Sequence, residues 1–318
     1  MEEIETPICP VCSTNKTQFW ARSTDVEYWT CQGEEFNYFE CLKCISLFID
    51  PFPKNRLQEI YPANYYSYGE QKRGAVATVK EWLDRKYFNK ILKPFQGREI
   101  NVLDYGGGSG WLLDVVKQSY PNVKITQVVD IDKGAQKIAE GHGHRYFCGE
   151  IEDFDSEVKF DLVLMLNIIE HIASPFTALK KVESFLSPEG LVLIKTPNMD
   201  SLDARVFKKT YWGGLHCPRH WILFSKKSFV TLVQKTNLSV ARLKYTQGAP
   251  FWAWSVLNTL RKFGLVEING KRPIMFHPLI PFLHVVFAGV DFIRIFFGGK
   301  GSQMFLVLRH SKNKINQN

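Results

Sequence analysis

The chain has 318 residues, 7 of them cysteine, and a formal net charge of +8. An odd thiol count behind the acidic start Met1-Glu2-Glu3-Ile4, which does not read as a signal peptide, argues against a disulfide-bonded secreted protein and predicts a reducing, cytoplasmic setting. Charge is unevenly divided: residues 201–318 carry 18 Lys or Arg against three acids, a balance of +15, which leaves −7 for residues 1–200. A basic half of this kind suits a nucleotide-linked sugar, an anionic membrane surface or RNA, or is a diffuse surface with no partner.

The first element is a pair of C-x-x-C turns, Cys9-Pro10-Val11-Cys12 and Cys41-Leu42-Lys43-Cys44, separated by residues rich in Tyr, Phe, Trp and Thr that favour β-hairpins. Four thiolates in two short turns can close a tetrahedron around structural Zn2+, and so small a module has too little core to fold without the metal. Two disulfides or redox dithiols are the alternative. Cys31, Cys148 and Cys217 read as packing or surface thiols. Residues 1–50 are therefore taken as a zinc ribbon, and residues 51–95 as an aromatic linker and a covering helix. The linker contains Ile49-Asp50-Pro51-Phe52-Pro53 and Tyr61-Pro62-Ala63-Asn64-Tyr65-Tyr66. The helix is predicted over 78–95, with Trp82, Tyr87 and Ile91 facing inward.

From residue 96 the pattern alternates strand and helix. Val102-Leu103-Asp104-Tyr105 reads as a buried strand entering the glycine turn Gly106-Gly107-Gly108-Ser109-Gly110, with a helix over 111–119. A dinucleotide fingerprint starting at Gly106 would need glycine at 111, where Trp111 stands. A second strand over 124–129 ends in Asp130, and Asp132 is the expected N-cap of the next helix. Tyr146-Phe147-Cys148-Gly149-Glu150-Ile151 reads as a third strand and its turn. The apolar run Phe160-Asp161-Leu162-Val163-Leu164-Met165-Leu166 suits a strand covered on both faces. It continues as Asn167-Ile168-Ile169-Glu170-His171-Ile172-Ala173-Ser174-Pro175. Strands over 190–196, 239–246 and 303–309 complete a seven-stranded, doubly wound α/β domain over 96–318, with an insertion over 248–301.

Asp104-x-Gly106-x-Gly108-x-Gly110, Asp130 and the Asn167 to Pro175 segment together resemble the motifs of class I S-adenosylmethionine-dependent methyltransferases, over roughly residues 95–310. The resemblance implies a Rossmann-like seven-stranded sheet and S-adenosyl-L-methionine as cofactor. It places Asp104, Gly106, Gly108 and Gly110 at the methionine part, Asp130 at the ribose, Glu150 and Ile151 at the adenine, and Asn167 at the strand end beside them. Some quinone-precursor methyltransferases carry an acid three residues before this glutamate and hold a metal there; Asn167 occupies that place, so no magnesium site is expected. His171 is read as orienting its loop.

The ribbon, the Tyr-Pro and Tyr-Tyr order, and Pro218-Arg219-His220 followed by Phe224-Ser225 resemble bacterial methyltransferases of surface polysaccharide and sugar modification. That implies a sugar acceptor, nucleotide-linked or lipid-linked. Tyr65 and Tyr66 would then line the acceptor pocket, or else pack the linker. His220 is the candidate general base, with His216 the alternative, or it buttresses the helix starting near Ser225. Arg219 would suit a phosphate or carboxylate. An RNA methyltransferase and a non-catalytic cofactor-binding scaffold are the rival readings. The absence of an Asn-Pro-Pro-Tyr-type tetrapeptide after the fourth strand speaks against methylation of a base's exocyclic amine.

In the insertion, residues 275–298 are apolar but interrupted by His284, Asp291 and Arg294, which share one side of a helix and leave no run long enough to span a bilayer. This segment is expected either to cap the domain with its apolar side packed on the sheet or on a second subunit, or to lie on the inner membrane face bordered by Lys271, Arg272 and Lys300.

Overall fold

The computed structural model of the chain describes residues 6–62, 65, 75–208 and 211–311. In chain order the strands are β1 (Thr17–Thr24), β2 (Glu35–Cys41), β3 (Leu47–Ile49), β4 (Ile100–Tyr105), β5 (Val123–Asp130), β6 (Arg145–Cys148), β7 (Phe160–Leu166), β8 (Leu186–Pro197), β9 (Ile222–Leu223), β10 (Leu238–Thr246) and β11 (Gln303–His310). The helices are α1 (Leu57–Ile60), α2 (Ala75–Ile91), α3 (Trp111–Ser119), α4 (Lys133–Gly141), α5 (Pro175–Phe185), α6 (Leu202–Val206), α7 (Lys226–Val233), α8 (Ala249–Lys262) and α9 (Ile280–Phe296).

Seven strands form one sheet in the order β10-β11-β8-β7-β4-β5-β6. β4, β5, β6, β7 and β8 run parallel, while β11 is antiparallel to both β8 and β10. The apolar strand sequences send alternate residues to opposite faces. Leu103, Val129, Val163 and Ile194 meet α5 and α7, whereas Val102, Val128, Leu164 and Leu193 meet α2 and α3. Register brings Asp104 level with Val128 and Leu164, so the carboxyl ends of β4, β5 and β7 open at one edge. Helix starts follow local chemistry. Asp132 caps α4 by accepting from the Gly134 amide, Pro175 opens α5, and Ser225 with Ser228 closes a capping box on α7.

The N-terminal residues do not stand apart from this domain. β1, β2 and β3 form a second, antiparallel sheet whose fourth strand, β9, comes from the loop after β8. Arg219, three residues before β9, is 0 % exposed. Its Nη2 donates to Asp25 Oδ2 at 2.8 Å, its Nε to the Ile60 carbonyl at 2.7 Å and its Nη1 to the Cys217 carbonyl at 3.2 Å. The guanidinium also lies 4.6 Å from the Tyr28 ring centroid. Arg219 is thus spent inside the protein and is not presented to an anionic acceptor, which corrects the role expected of it.

One further expectation changes, and one left open is decided. Along α2, Tyr87 and Ile91 pack on the core, but Trp82 is 54 % exposed and stacks against Lys86 instead; Phe88 within α2, and Leu92 and Phe95 just beyond it, take the inward positions. In α9 the polar side, not the apolar one, faces the protein: Asp291 is fully buried, while Phe282, Val285, Phe292 and Phe296 face outward. Tyr66 lies outside the described residues.

Removing the Arg219 charge leaves the Asp25 carboxylate buried without its partner, which costs about 3 kcal/mol or more. Arg219→Met should therefore lower the urea midpoint strongly, and Asp25→Asn added to it should recover part of the loss.

Candidate active site

A cleft of about 360 Å³ opens at the carboxyl edge of the parallel strands. Its walls include Gly106, Asp130, Glu150, Asn167, His171 and Tyr61. The turn after β4 needs its glycines, since Gly106, Gly108 and Gly110 have φ of 76°, 50° and 78°. A Cβ at Gly110 would also run into the His144 ring. Asp130 pins the turn from the tip of β5. Its Oδ2 accepts from the Gly108 amide at 2.8 Å and its Oδ1 from the Asp132 amide at 3.0 Å, and each oxygen keeps a lone pair for a ligand hydroxyl. Asn167, at the end of β7, is held at φ 57° and accepts from Gln303 Nε2 at 3.4 Å. Left-handed backbone in a non-glycine residue marks a position its surroundings over-determine.

Asp104 sits just behind the wall. It is buried, its Oδ2 has no hydrogen-bond partner among the described residues, and burial with Asp130 beside it holds the carboxyl well above the usual range. A cationic donor from a ligand, direct or through water, is what such a group lacks. The orphaned Asp104 oxygen, the open glycine turn and the Asp130 lone pairs therefore fit the methionine and ribose parts of S-adenosylmethionine. Glu150 lines the cleft as an exposed acid, whereas the Ile151 side chain is buried in the core and does not reach the wall.

Beside the cleft lies a cluster of imidazoles, His216 and His220 buried and His171 half-buried on the wall. His171 Nδ1 has both the Arg219 carbonyl at 2.9 Å and the Tyr61 hydroxyl at 2.8 Å. A carbonyl only accepts, so Nδ1 carries the hydrogen and Nε2 the lone pair. By the same argument His220 donates from Nδ1 to the Gly214 carbonyl at 2.8 Å, and its Nε2 lies 4.0 Å from Glu170 Oε1. Glu170, His171 and His220 each bring one ligating atom within 4.8 Å of the others. Burial pushes the Glu170 carboxyl up to about 8 and His171 down to about 3, and it holds His220 and His216 well below the usual imidazole range. At neutral pH the imidazoles are uncharged proton acceptors and Glu170 is mostly protonated.

Of the acceptor-side residues, Tyr65 lines the cleft and its hydroxyl meets His216 Nε2 at 3.3 Å. His216 stacks on Trp254 and lies 3.1 Å from Glu27 Oε2, behind the wall. His220 is likewise behind it, and His171 is the histidine that lines the cleft. Tyr61 was marked only as part of the Tyr-Pro linker, and the Asp25 and Glu27 pair was not singled out in the sequence. Tyr61 carried a signal in its Tyr-Pro context, but the partners of Asp25 and Arg219 lie 194 residues apart and leave no local pattern.

In the ribbon the four thiols of Cys9, Cys12, Cys41 and Cys44 converge, with Cys9 Sγ 3.7 Å from Cys44 Sγ and Cys12 Sγ 3.5 Å from Cys41 Sγ. A tetrahedral Zn2+ site with Zn–S near 2.3 Å has edges of about 3.8 Å, so the cluster fits that ion.

Residues 79–243 match the family described as methyltransferase domain. A malonyl-[acyl-carrier protein] O-methyltransferase of Priestia megaterium is 29% identical over 126 residues, covering 38% of this chain and 46% of that protein. A mitochondrial ubiquinone biosynthesis O-methyltransferase of Arabidopsis thaliana is 32% identical over 115 residues, covering 33% of this chain and 34% of that protein. The chain thus spans less than half the length of the curated relatives it matches. Among solved structures, a coclaurine N-methyltransferase bound to N-methylheliamine and S-adenosylhomocysteine has a TM-score of 0.48 at 16% identity, covering 81% of this chain and 82% of its own. The plantazolicin methyltransferase BpumL in complex with S-adenosylhomocysteine has a TM-score of 0.47 at 13% identity, covering 73% and 84%. With a family match over more than half of its length, on a seven-stranded sheet of the Rossmann-like methyltransferase type, this chain belongs to the methyltransferase-domain family.

Proposed function

We propose that the protein is an S-adenosylmethionine-dependent methyltransferase acting on a hydroxyl of a sugar, nucleotide-linked or lipid-linked. The observation that carries this reading is the Glu170, His171 and His220 cluster set against a cleft whose other wall is the glycine turn. Relatives named for O-methyl transfer support oxygen as the accepting atom. The resemblance of the ribbon and of the loop after β8 to sugar-modifying methyltransferases supports the sugar.

When bound, S-adenosylmethionine supplies an electrophilic methyl on a sulfonium. Asp104 would hold its ammonium and Asp130 its ribose hydroxyls, with Glu150 near the adenine. The acceptor hydroxyl must lose its proton as it attacks, and a neutral imidazole with a free Nε2 can take it. His171 is the member of the cluster on the cleft wall, and the proton it takes stays on its Nε2; His220 stands behind it, ring centroids 4.8 Å apart, and packs the imidazole in place. Desolvation keeps the imidazoles unprotonated until then.

His171→Ala and His220→Ala should each reduce methyl transfer to a sugar-nucleotide panel by about 100-fold or more, while calorimetry shows unchanged S-adenosylmethionine affinity. Retained turnover in His220→Ala would remove it from the base role. A protonated Glu170 gives a second check. Its folded-state affinity for the proton exceeds that of the unfolded chain, where a glutamate titrates near about 4.3. Native stability therefore falls as pH rises from that value through about 8. The melting temperature of Glu170→Gln relative to the parent should rise across the same window and level off above it; a pH-independent difference would show that Glu170 is not held protonated.

We further propose that Cys9, Cys12, Cys41 and Cys44 hold structural zinc, an inference supported by their edge lengths. Elemental analysis should find one zinc per chain. Cys41→Ser should lose it and melt at a lower temperature, and a chelator should do the same to the parent protein.

A further inference from the structure

The helix hairpin inserted between β10 and β11 has its amphipathic sense reversed. A surface helix ordinarily turns its apolar stripe to the core and its charges to water. In α9 the carboxylate of Asp291 is fully buried, accepting from the Gly248 amide at 2.9 Å, Trp252 Nε1 at 3.2 Å, Ser302 Oγ at 2.7 Å and Arg294 Nη1 at 3.0 Å. Phe287 stacks on Trp252 of α8, ring centroids 5.2 Å apart. On the opposite side Phe282, Val285, Phe292 and Phe296 follow one helical face, with exposed Gly289 at the position between Val285 and Phe292 and Ile293 beside it; all are exposed, Phe292 at 71% and Phe296 at 77%. The stripe is about 20 Å long at 1.5 Å per residue, and Phe263 and Leu265, in the loop after α8, are also exposed. An apolar face of this extent is not left in water without a partner.

Its surroundings select the partner. Residues 251–300 contain six Lys or Arg and two acids; Arg272, Arg294 and Lys300 are paired with Glu267, Asp291 and Asp200, which among the described residues leaves Arg261, Lys262 and Lys271 as the cations of the hairpin outside any ion pair and no acid of the hairpin to oppose them. A second copy docking through the same face would bring one cationic rim against another. An anionic bilayer satisfies both parts, taking the phenylalanines at the acyl boundary and the cations at the headgroups. Among the described residues no helix is long and apolar enough to cross a membrane, which leaves attachment from one side. We propose that α9 docks the protein on the surface of an anionic lipid bilayer. The hairpin leaves and rejoins the sheet at Thr246 and Gln303, level with Pro197 at the end of β8, and Trp254 of α8 stacks on His216. The docked surface therefore belongs to the same edge of the sheet as the cleft.

The proposal stands independently of methyl transfer, since vesicle binding is measured without the reaction. Full-length protein should co-sediment with phosphatidylglycerol-containing vesicles about ten-fold or more better than with phosphatidylcholine alone, less so in high salt. Phe292→Glu/Phe296→Glu should abolish binding, and Lys262→Glu/Lys271→Glu should weaken it, both with unchanged melting because these side chains are exposed. Failure to bind either vesicle overturns the proposal, as does binding that the phenylalanine pair leaves intact. A stable dimer in sedimentation equilibrium that Phe292→Glu/Phe296→Glu converts to monomer would instead assign the face to a second copy.

Discussion

Burial of the Arg219 guanidinium is the constraint on which the rest of the site depends. Taking that charge out of water is costly, and here the cost is met by the Asp25 carboxylate, two backbone carbonyls and the Tyr28 ring. A lysine has neither the planar fork nor the reach to make these contacts together. The contacts fix more than the side chain, because the backbone of the same residue holds the imidazoles: its carbonyl accepts from His171 and its amide donates to the His216 carbonyl. Three residues later the chain enters β9 and completes the ribbon sheet. One buried cation thus couples the Cys-rich module, the linker at Ile60 and the histidines at the cleft.

The same burial sets the charge state of the site. One arginine cannot neutralise two adjacent carboxylates. Burial raises both in principle, but the closer contact with Arg219 holds Asp25 below its usual range, whereas burial keeps Glu27 well above it. Further in, the imidazoles lose their charged forms and Glu170 keeps its proton. The ribbon is therefore not an appendage. It supplies the counter-charge and the cover that make a dry, proton-accepting cluster possible.

The α8 and α9 hairpin follows the opposite logic. Asp291 is drawn inward because the amide of Gly248, the indole of Trp252 and the hydroxyl of Ser302 all need an acceptor where the chain leaves and rejoins the sheet. Satisfying them turns the polar side of the helix inward and leaves the phenylalanines outside. The exposed stripe is thus built into how the hairpin is anchored.

Period and turn chemistry made the sheet legible. The strand over 160–166, the helix over 111–119, the positive-φ glycines and the Asp132 cap are all local matters, decided by residues within a turn or two of one another. The paired C-x-x-C turns, Asp104 and Asp130 were readable for the same reason. What the chain could not show was direction and partnership at long range. Spacing marked one side of α2 and one side of α9 but not which way either faces, so Trp82 was misplaced and the α9 stripe was left open between the sheet, a second subunit and a membrane face. Nor could it show that Arg219 would be claimed by Asp25, or that His171 rather than His220 would line the cleft. Sequence by itself determined the elements, the ligand turn and the thiol set, because those rest on short-range geometry. Only tertiary packing decided which charges are buried, and with them the protonation of the site and the face left open, because burial is a property of elements brought together.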